Sequence, residues 1–285
     1  VDLGASGRSI FIAFVMLTHI LFANLHLGGA WVLLSLVILY LVSREERYSR
    51  LGKSVALFNV ILFSAGATFA ATGVLFFIAL YPAFATQAFH IYWWPLLVEA
   101  ILFGVEIFFV YTLWFTWARV GAAWHVLLAI GYPVSIFFQT LAIDTLVSGM
   151  LTPGAKTITW GAPGLLGMPW TEYLLWWFNA TLWPLQFHRV AAATSFFGFL
   201  LAFLAMLHFH DRTDPPSRRY WDWVGSFGIL WGLASLIVQP LLGLWYMYSI
   251  FTHQNQAFTN IMTGPRAWEM LMMVGLLSLL IVTVS

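Results

Sequence analysis

The sequence predicts an all-α protein: a polytopic bundle of about seven transmembrane helices with one short interfacial helix. Of its 285 residues, 61% are hydrophobic and only 8% are charged, which does not suit a soluble surface. No charged side chain lies between Arg8 and Arg44, between Lys53 and Glu99, or between Asp222 and Arg266. Each gap exceeds the roughly 20 residues that a bilayer span needs, so several helices must cross a membrane.

Charge gaps, Gly and Pro positions and interfacial Trp and Tyr residues set the predicted spans. In chain order the spans are 9–42, 52–81, 93–118, 122–150, 184–209, 221–249 and 266–284. Residues 157–184 are rich in Trp and predict a short helix lying on the outer surface. Its tryptophans are Trp160, Trp170, Trp176, Trp177 and Trp183. No repeat of fixed period is present, so residues 1–285 are expected to form one membrane domain.

The basic residues predict the orientation of the bundle. Eight of the 12 basic residues fall in loops on one side of it. They are Arg44, Arg47, Arg50, Lys53, Arg119, Arg212, Arg218 and Arg219. The positive-inside rule makes these loops cytoplasmic and places the N-terminus and residues 82–92, 151–183 and 250–265 outside. The first span is longer than a signal-peptide core and has no small-residue cleavage site, so we expect it to be retained.

Composition excludes several functions. Twelve basic and 11 acidic residues give a net charge of +1, which leaves no basic face for nucleic acid. The absence of cysteine excludes disulfides, thiolate zinc sites, cysteine-held iron–sulfur clusters and covalently attached c-type haem. Any metal or cofactor must therefore be held by His, Met or carboxylate side chains.

Ionisable side chains inside the predicted spans are energetically costly and invite a functional explanation. They are His19, His26, Glu99, Glu106, Asp144, His188 and Arg189. His19 and His26 lie seven residues apart, on one helix face about 10 Å from each other. One imidazole can bind a metal while the other takes a supporting or interfacial role, or His26 only hydrogen-bonds a neighbouring helix. The following Gly28-Gly29 pair suits either a flat cofactor or close helix packing.

Glu99 and Glu106 show the same seven-residue spacing on the third span. Two carboxylates on one helix face at different depths predict a stepped proton path. The alternative is that one of them pairs with an Arg or His side chain and serves assembly.

His188 lies near the outer start of the fifth span and is followed by Arg189 and several small residues. A methionine cluster, Met270, Met272 and Met273, lies near the outer end of the seventh span. An imidazole and a thioether from two helices at similar depth form a candidate low-spin haem ligand pair, and Arg189 suits an anionic group such as a propionate. The alternative for the methionines is packing.

Six short segments match one known family in order along the chain. They are 14–29 (FVMLTHILFANLHLGG), 66–73 (GATFAATG), 94–100 (WPLLVEA) with Glu106, 187–191 (FHRVA), 226–228 (SFG) and 273–275 (MVG). These segments resemble the first, second, third, fifth and sixth helices and the Met-bearing helix of subunit I of the cytochrome bd quinol oxidases.

The resemblance implies a haem-binding subunit of a respiratory oxidoreductase in the cytoplasmic membrane of a bacterium or archaeon. His19 would be an axial ligand of a high-spin haem, and His188 and Met273 would hold a low-spin haem b. Glu99 and Glu106 would lie on a proton route, although Glu106 is one residue nearer Glu99 than the family spacing. Two haems b are implied, with haem d and quinone left open. The implied partners are a second membrane subunit and either quinol or a c-type cytochrome.

The sequence departs from the family in two places. The segment 249–266 is short, whereas the family carries a long hydrophilic quinol loop at this place. It holds only His253 and polar amides. The later helices, with a further Glu haem ligand and a Gly-Arg-Gln-Pro-Trp-like motif, do not occur before Ser285, so the chain is either cut or a reduced relative. Two other functions therefore stay open: an electron-conducting membrane anchor without oxygen reduction, and a non-redox transporter or scaffold.

Overall fold

The computed structural model describes residues 4–152, 169–211, 213–265 and 267–284, and within these ranges it contains helices and no strand. The helices are α1 Gly4–Ser43, α2 Glu46–Leu80, α3 Pro82–Ile91, α4 Trp93–Phe115, α5 Ala122–Leu151, α6 Trp170–Trp176, α7 Leu182–Asp211, α8 Pro215–His253, α9 Asn255–Thr263 and α10 Ala267–Val284. The predicted all-α membrane bundle is confirmed.

Within the described ranges, six helices are long and apolar enough to cross a membrane: α1, α2, α4, α5, α7 and α8. The predicted seventh span corresponds to α10, whose apolar stretch, Ala267–Leu280, is shorter. The short helix predicted within 157–184 is observed as α6, and its interfacial position stays a prediction. Residues 157–168 with Trp160, the basic residue Arg212 and the first residue of the last predicted span, Arg266, lie outside the described residues.

Two of the predicted outer loops contain helices. Residues 82–92 hold α3, which begins at Pro82, and residues 250–265 hold the end of α8 and all of α9. Proline suits the first turn of a helix because its φ is preset and its missing N–H would have no partner there. Helices of 10 and 9 residues are too short to show as spans in a hydropathy pattern, which is why the sequence indicated loops.

The central helix is α1, which packs against α2, α5 and α7. Leu27, Leu33 and Leu36 on α1 are completely or almost completely buried. A Cβ atom at Gly28 would overlap the backbone carbonyl of Ala193 on α7. Of the two roles open to the Gly28-Gly29 pair, the structure therefore shows close helix packing.

A second close approach joins α7 to α8. A Cβ atom at Gly198 would lie 2.5 Å from the backbone nitrogen of Gly232 and 2.8 Å from the carbonyl oxygen of Gly228. Near this crossing, the Ser195 hydroxyl donates a hydrogen bond of 2.9 Å to the Gly232 carbonyl. Small residues after His188 thus pack α7 against its neighbours, as is common where membrane helices approach closely.

Replacing Gly198 with alanine is expected to destabilise the bundle by about 1–3 kcal/mol, because the two backbones must separate to admit the methyl group. Gly104→Ala on α4 is the matched control, since a Cβ atom there meets nothing within 4 Å. The control should gain up to about 1 kcal/mol from helix propensity. Thermal unfolding in detergent measures the stability of both variants. Equal unfolding midpoints would contradict the close approach of α7 and α8 at Gly198.

A hydrogen-bond network joins the end of α5 to the residues just before α7. The Thr152 hydroxyl donates to Asn179 Oδ1 at 2.5 Å, and the Asn179 amide donates to the carbonyl oxygens of Thr152 and Ser148. The Thr181 backbone N–H also donates to Asn179 Oδ1, at 2.9 Å. Nearby on α6, burial raises the pKa of the Tyr173 phenol, so this ring stays neutral at physiological pH.

Candidate functional site

The centre of the bundle holds a polar cluster formed by His26 on α1, Asn59 on α2, Glu106 on α4 and Tyr132 on α5. His26 is 3% exposed and Glu106 is 1% exposed. His26 Nε2 lies 2.5 Å from Glu106 Oε1, and His26 Nδ1 donates to the Asn59 carbonyl oxygen at 3.1 Å. The Tyr132 hydroxyl lies 3.0 Å from Nδ1 and 3.1 Å from Nε2. Four helices therefore converge on one imidazole.

The contacts of His26 define where protons lie. A carbonyl oxygen can only accept, so the contact with Asn59 requires a proton on Nδ1. The short contact between Nε2 and Glu106 Oε1 then holds one further proton, carried either by the imidazole or by the carboxyl group. The pair is a buried position where a proton can be held and exchanged between two groups.

Glu99 has a different environment from Glu106, although both lie on α4. Glu99 is half-buried, and the Gln139 side-chain amide on α5 donates a hydrogen bond of 3.0 Å to its Oε1. Of the two carboxylates, it is thus Glu106 that pairs with a histidine. Both side chains face α1 or α5 and so point into the bundle, the arrangement that a carboxylate in a membrane span requires.

Asp144 on α5 and Arg189 on α7 form an ion pair. Arg189 Nη1 lies 2.5 Å from Asp144 Oδ1, and the Asp144 side chain is 3% exposed. Asp144 Oδ2 is buried and has no hydrogen-bond partner within the described residues. The structure thus gives Arg189 a carboxylate partner in this chain, while its expected contact with an anionic group of a cofactor stays a prediction.

The imidazole ring of His19 on α1 is oriented by a backbone hydrogen bond. Its Nδ1 donates a hydrogen bond of 2.9 Å to the Gly66 carbonyl oxygen on α2. This bond fixes the ring orientation and places the proton on Nδ1, which leaves the lone pair of Nε2 free. Nε2 has no hydrogen-bond partner within the described part of the chain. A free, oriented imidazole nitrogen fits the axial position of a haem iron.

His188 on α7 lies beside Gly243 on α8. A Cβ atom at residue 243 would be 3.4 Å from His188 Cε1, so the His188 ring edge faces this part of α8. His188 Nδ1 is buried and has no hydrogen-bond partner in the described ranges. The Gln239 amide donates to the His188 carbonyl oxygen at 3.0 Å and holds α7 against α8. An unsatisfied buried imidazole also fits a ligand role.

Met273 lies on α10 and is 46% exposed. The main contacts of α10 are with α9, and α10 does not pack extensively against α7. The structure therefore does not bring Met273 against His188, and their joint role as haem ligands stays a prediction. No group of three or more His, Asp or Glu side chains suited to a metal ion occurs among the described residues. A haem iron needs only axial ligands from the protein.

Four uncharged polar residues of the site were not singled out in the sequence. Asn59, Tyr132, Gln139 and Gln239 each contact one of the ionisable groups or its backbone. For Tyr132, Gln139 and Gln239 the sequence signal was an amide or phenol side chain inside a charge-free span, where polar groups need partners. Asn59 contacts His26 through its backbone carbonyl, which any residue carries, so the sequence held no signal for it.

Together the fold and the site define a polytopic membrane protein whose interior carries imidazoles free to bind a ligand and a buried acid–imidazole pair. A family model supports a more specific statement. The chain belongs to the cytochrome bd terminal oxidase subunit I family, whose model matches residues 8–276. The resemblance stated from the sequence segments is therefore confirmed.

A solved structure shows the same fold. The chain resembles a chain of the bd oxidase from Geobacillus thermodenitrificans with a TM-score of 0.77 and 19% sequence identity. The similarity covers 88% of this chain and 57% of that chain. The sequence matches no curated protein.

Proposed function

We propose that this chain is a haem b-binding membrane subunit of a respiratory oxidoreductase. It moves electrons from quinol, or from a donor on the outer side, through a low-spin haem at His188 to a second haem at His19, where oxygen is the acceptor. Family membership supports the reaction class. The observation that carries the proposal is the hydrogen bond from His19 Nδ1 to the Gly66 carbonyl, since it leaves Nε2 free inside a membrane bundle.

When bound, the haems supply reversible one-electron transfer, and the protein supplies ligands, orientation and a low-dielectric surrounding. His19 would hold one haem from α1. His188 and Met273 would hold the other, and Arg189 would offer its remaining N–H groups to a propionate while Asp144 fixes the guanidinium. Haem d in place of one haem b would use the same protein ligands.

The acidic residues would hold protons and pass them on during the reaction. Adding an electron to a buried haem is unfavourable unless a positive charge compensates it. A proton taken up by a nearby side chain can provide this charge. Glu106 and His26 hold one proton between them at mid-bundle, and His26 would support the haem at His19 in this way rather than as an iron ligand. Glu99, which accepts a hydrogen bond from Gln139, would be a second proton-binding residue. It lies seven residues before Glu106 on α4, nearer the predicted outer side.

The membrane setting determines the partners. Six long apolar helices support a multi-pass membrane protein, which we place in the cytoplasmic membrane of a bacterium or archaeon with its N-terminus outside. The partners would be a second membrane subunit and quinol or a c-type cytochrome. Because α9 is only nine residues long, the segment between α8 and α10 is compact rather than a long quinol loop.

That compact segment favours a second candidate function, an electron-conducting anchor of a larger redox complex that does not reduce oxygen. The two candidates differ in whether the haem that His19 would hold can bind a small external ligand such as oxygen. The single backbone hydrogen bond of the His19 ring leaves one nitrogen to hold a haem, which supports the oxidase function.

Carbon monoxide binding separates the two candidates. The dithionite-reduced protein is expected to bind carbon monoxide rapidly and to shift its Soret band, because His19 would be the one residue that holds this haem. His188→Ala should keep this shift, since His188 belongs to the other centre. A haem-replete protein without a carbon monoxide shift would contradict the oxidase proposal and assign the chain as a conducting anchor.

A further inference from the structure

A cavity of about 480 Å³ opens at the end of the bundle that carries the predicted cytoplasmic loops. It lies between the first turns of α2, the residues that follow α4 and the start of α8. Its lining includes Glu46, Arg47, Arg50, Lys53, Trp117 and Tyr220. No residue of the proposed haem or proton sites lines it, so its role is separate from the proposed function.

Two arginines of the cavity are held on aromatic rings. The Arg50 guanidinium lies 4.3 Å from the centre of the Tyr220 ring, and the Arg47 guanidinium lies 4.8 Å from the centre of the Trp223 ring. Stacking on a ring fixes the position of a guanidinium and leaves the N–H groups at its edge available to an anion. This is the geometry from which arginine binds phosphate oxygens.

The cavity carries more positive than negative charge. Arg47 pairs with Glu45 at 2.6 Å, and Glu46 is the carboxylate in the lining. Neither Arg50 nor Lys53 has a carboxylate partner within the ranges that the structure describes. They lie one helical turn apart on α2, so their charges act on the same volume. The cavity therefore favours an anion.

The aromatic side chains place the cavity at the level of lipid headgroups. Trp117 packs directly on Gly52 of α2, where a Cβ atom would lie 2.8 Å from the indole ring. Tryptophan and tyrosine concentrate at the boundary between headgroups and hydrocarbon. Below this boundary the apolar surfaces of α2 and α8 continue, with Leu57, Ile61 and Leu230 exposed. An anion bound here can thus carry acyl chains along the bundle.

We propose that this cavity binds the phosphate group of an anionic membrane lipid. Arg50 and Lys53 contact the phosphate oxygens, Tyr220 and Trp117 border the glycerol region, and the acyl chains lie on the apolar faces of α2 and α8. Basic pockets between membrane helices on the cytoplasmic side bind anionic headgroups by this chemistry.

The test measures lipid retention by native mass spectrometry on the full chain in neutral detergent, with phosphatidylglycerol and phosphatidylcholine of equal chain length. The wild-type protein is expected to retain phosphatidylglycerol and not phosphatidylcholine. Arg50→Gln/Lys53→Gln should weaken phosphatidylglycerol binding about thirtyfold, because two surface cations are lost. Arg218→Gln/Arg219→Gln removes the same charge from the same end of the bundle outside the cavity, and should weaken binding less than about threefold.

A gain-of-function variant makes the test independent of misfolding. Glu46→Gln removes the carboxylate from the lining and should strengthen phosphatidylglycerol binding about fivefold. Equal retention by the Arg50→Gln/Lys53→Gln variant and the wild type would overturn the proposal, as would equal loss in the Arg218→Gln/Arg219→Gln control. Displacement of the lipid by inorganic phosphate at equal concentration would assign the cavity to the free ion and overturn the lipid proposal.

Discussion

Replacing His19 with alanine is expected to remove one of the two haems from each chain and to abolish the carbon monoxide shift. The imidazole is the proposed haem ligand, and the Gly66 carbonyl holds it in a fixed orientation. Without the ligand the porphyrin loses its bond to the protein, so haem content should fall from about two per chain to about one. The pyridine haemochrome assay measures this ratio directly.

The control for this variant is His210→Ala, which removes an exposed histidine near the end of α7. It should keep both haems. His19→Gln is a second variant that preserves side-chain volume and should behave like His19→Ala, which separates ligand loss from a packing defect. A His19→Ala protein with an unchanged haem count and an intact carbon monoxide shift would show that the imidazole is not the ligand.

Glu106→Gln is expected to lower turnover by about two orders of magnitude while leaving the haem spectrum intact, because a positioned proton-transfer group contributes on this scale. His26→Gln should do the same, since the two side chains hold one proton between them. The double variant should be no slower than either single variant, as expected for groups that act as a unit. Steady-state oxygen consumption with a reduced quinol measures all three.

Asp222→Asn is the matched control for these variants because it removes an exposed carboxylate from α8, outside the site. Its turnover should equal that of the wild type. If Glu106→Gln lost its haem spectrum together with its activity, the pair would be part of a haem-binding structure and the proton role would be wrong. Additive losses in the double variant would contradict a shared proton.

The membrane spans were predictable because charge gaps and hydropathy are local properties of the sequence. The limits of α4 and α5 differ from the predicted ones by at most a few residues. The short helices α3 and α9 were missed because segments of 10 and 9 residues are too short to stand out in a hydropathy pattern. Helix packing through Gly198, Gly228 and Gly232 also depends on which helices meet, and the sequence alone does not state this.

The ionisable residues of the site could be predicted from the sequence, but the residues they contact could not. His26 and Glu106 stood out as costly groups in charge-free spans, but they are 80 residues apart in the sequence, and nothing local joins them. Tyr132 lies 106 residues from His26 and carries no charge to draw attention to it. Long-range pairs of this kind follow from the packing of α1 against α2 and α5 and of α4 against the same two helices, so only the folded structure reveals them.

One measurement tests the central claim most directly: a dithionite-reduced minus oxidised optical spectrum of the purified chain, combined with a haemochrome count. The account predicts a b-type α-band and about two haems per chain, one lost in His19→Ala and the other in His188→Ala. A well-folded preparation that binds no haem would contradict the account. Glu99, Glu106 and the Asp144–Arg189 pair would then belong to a transporter or an assembly scaffold.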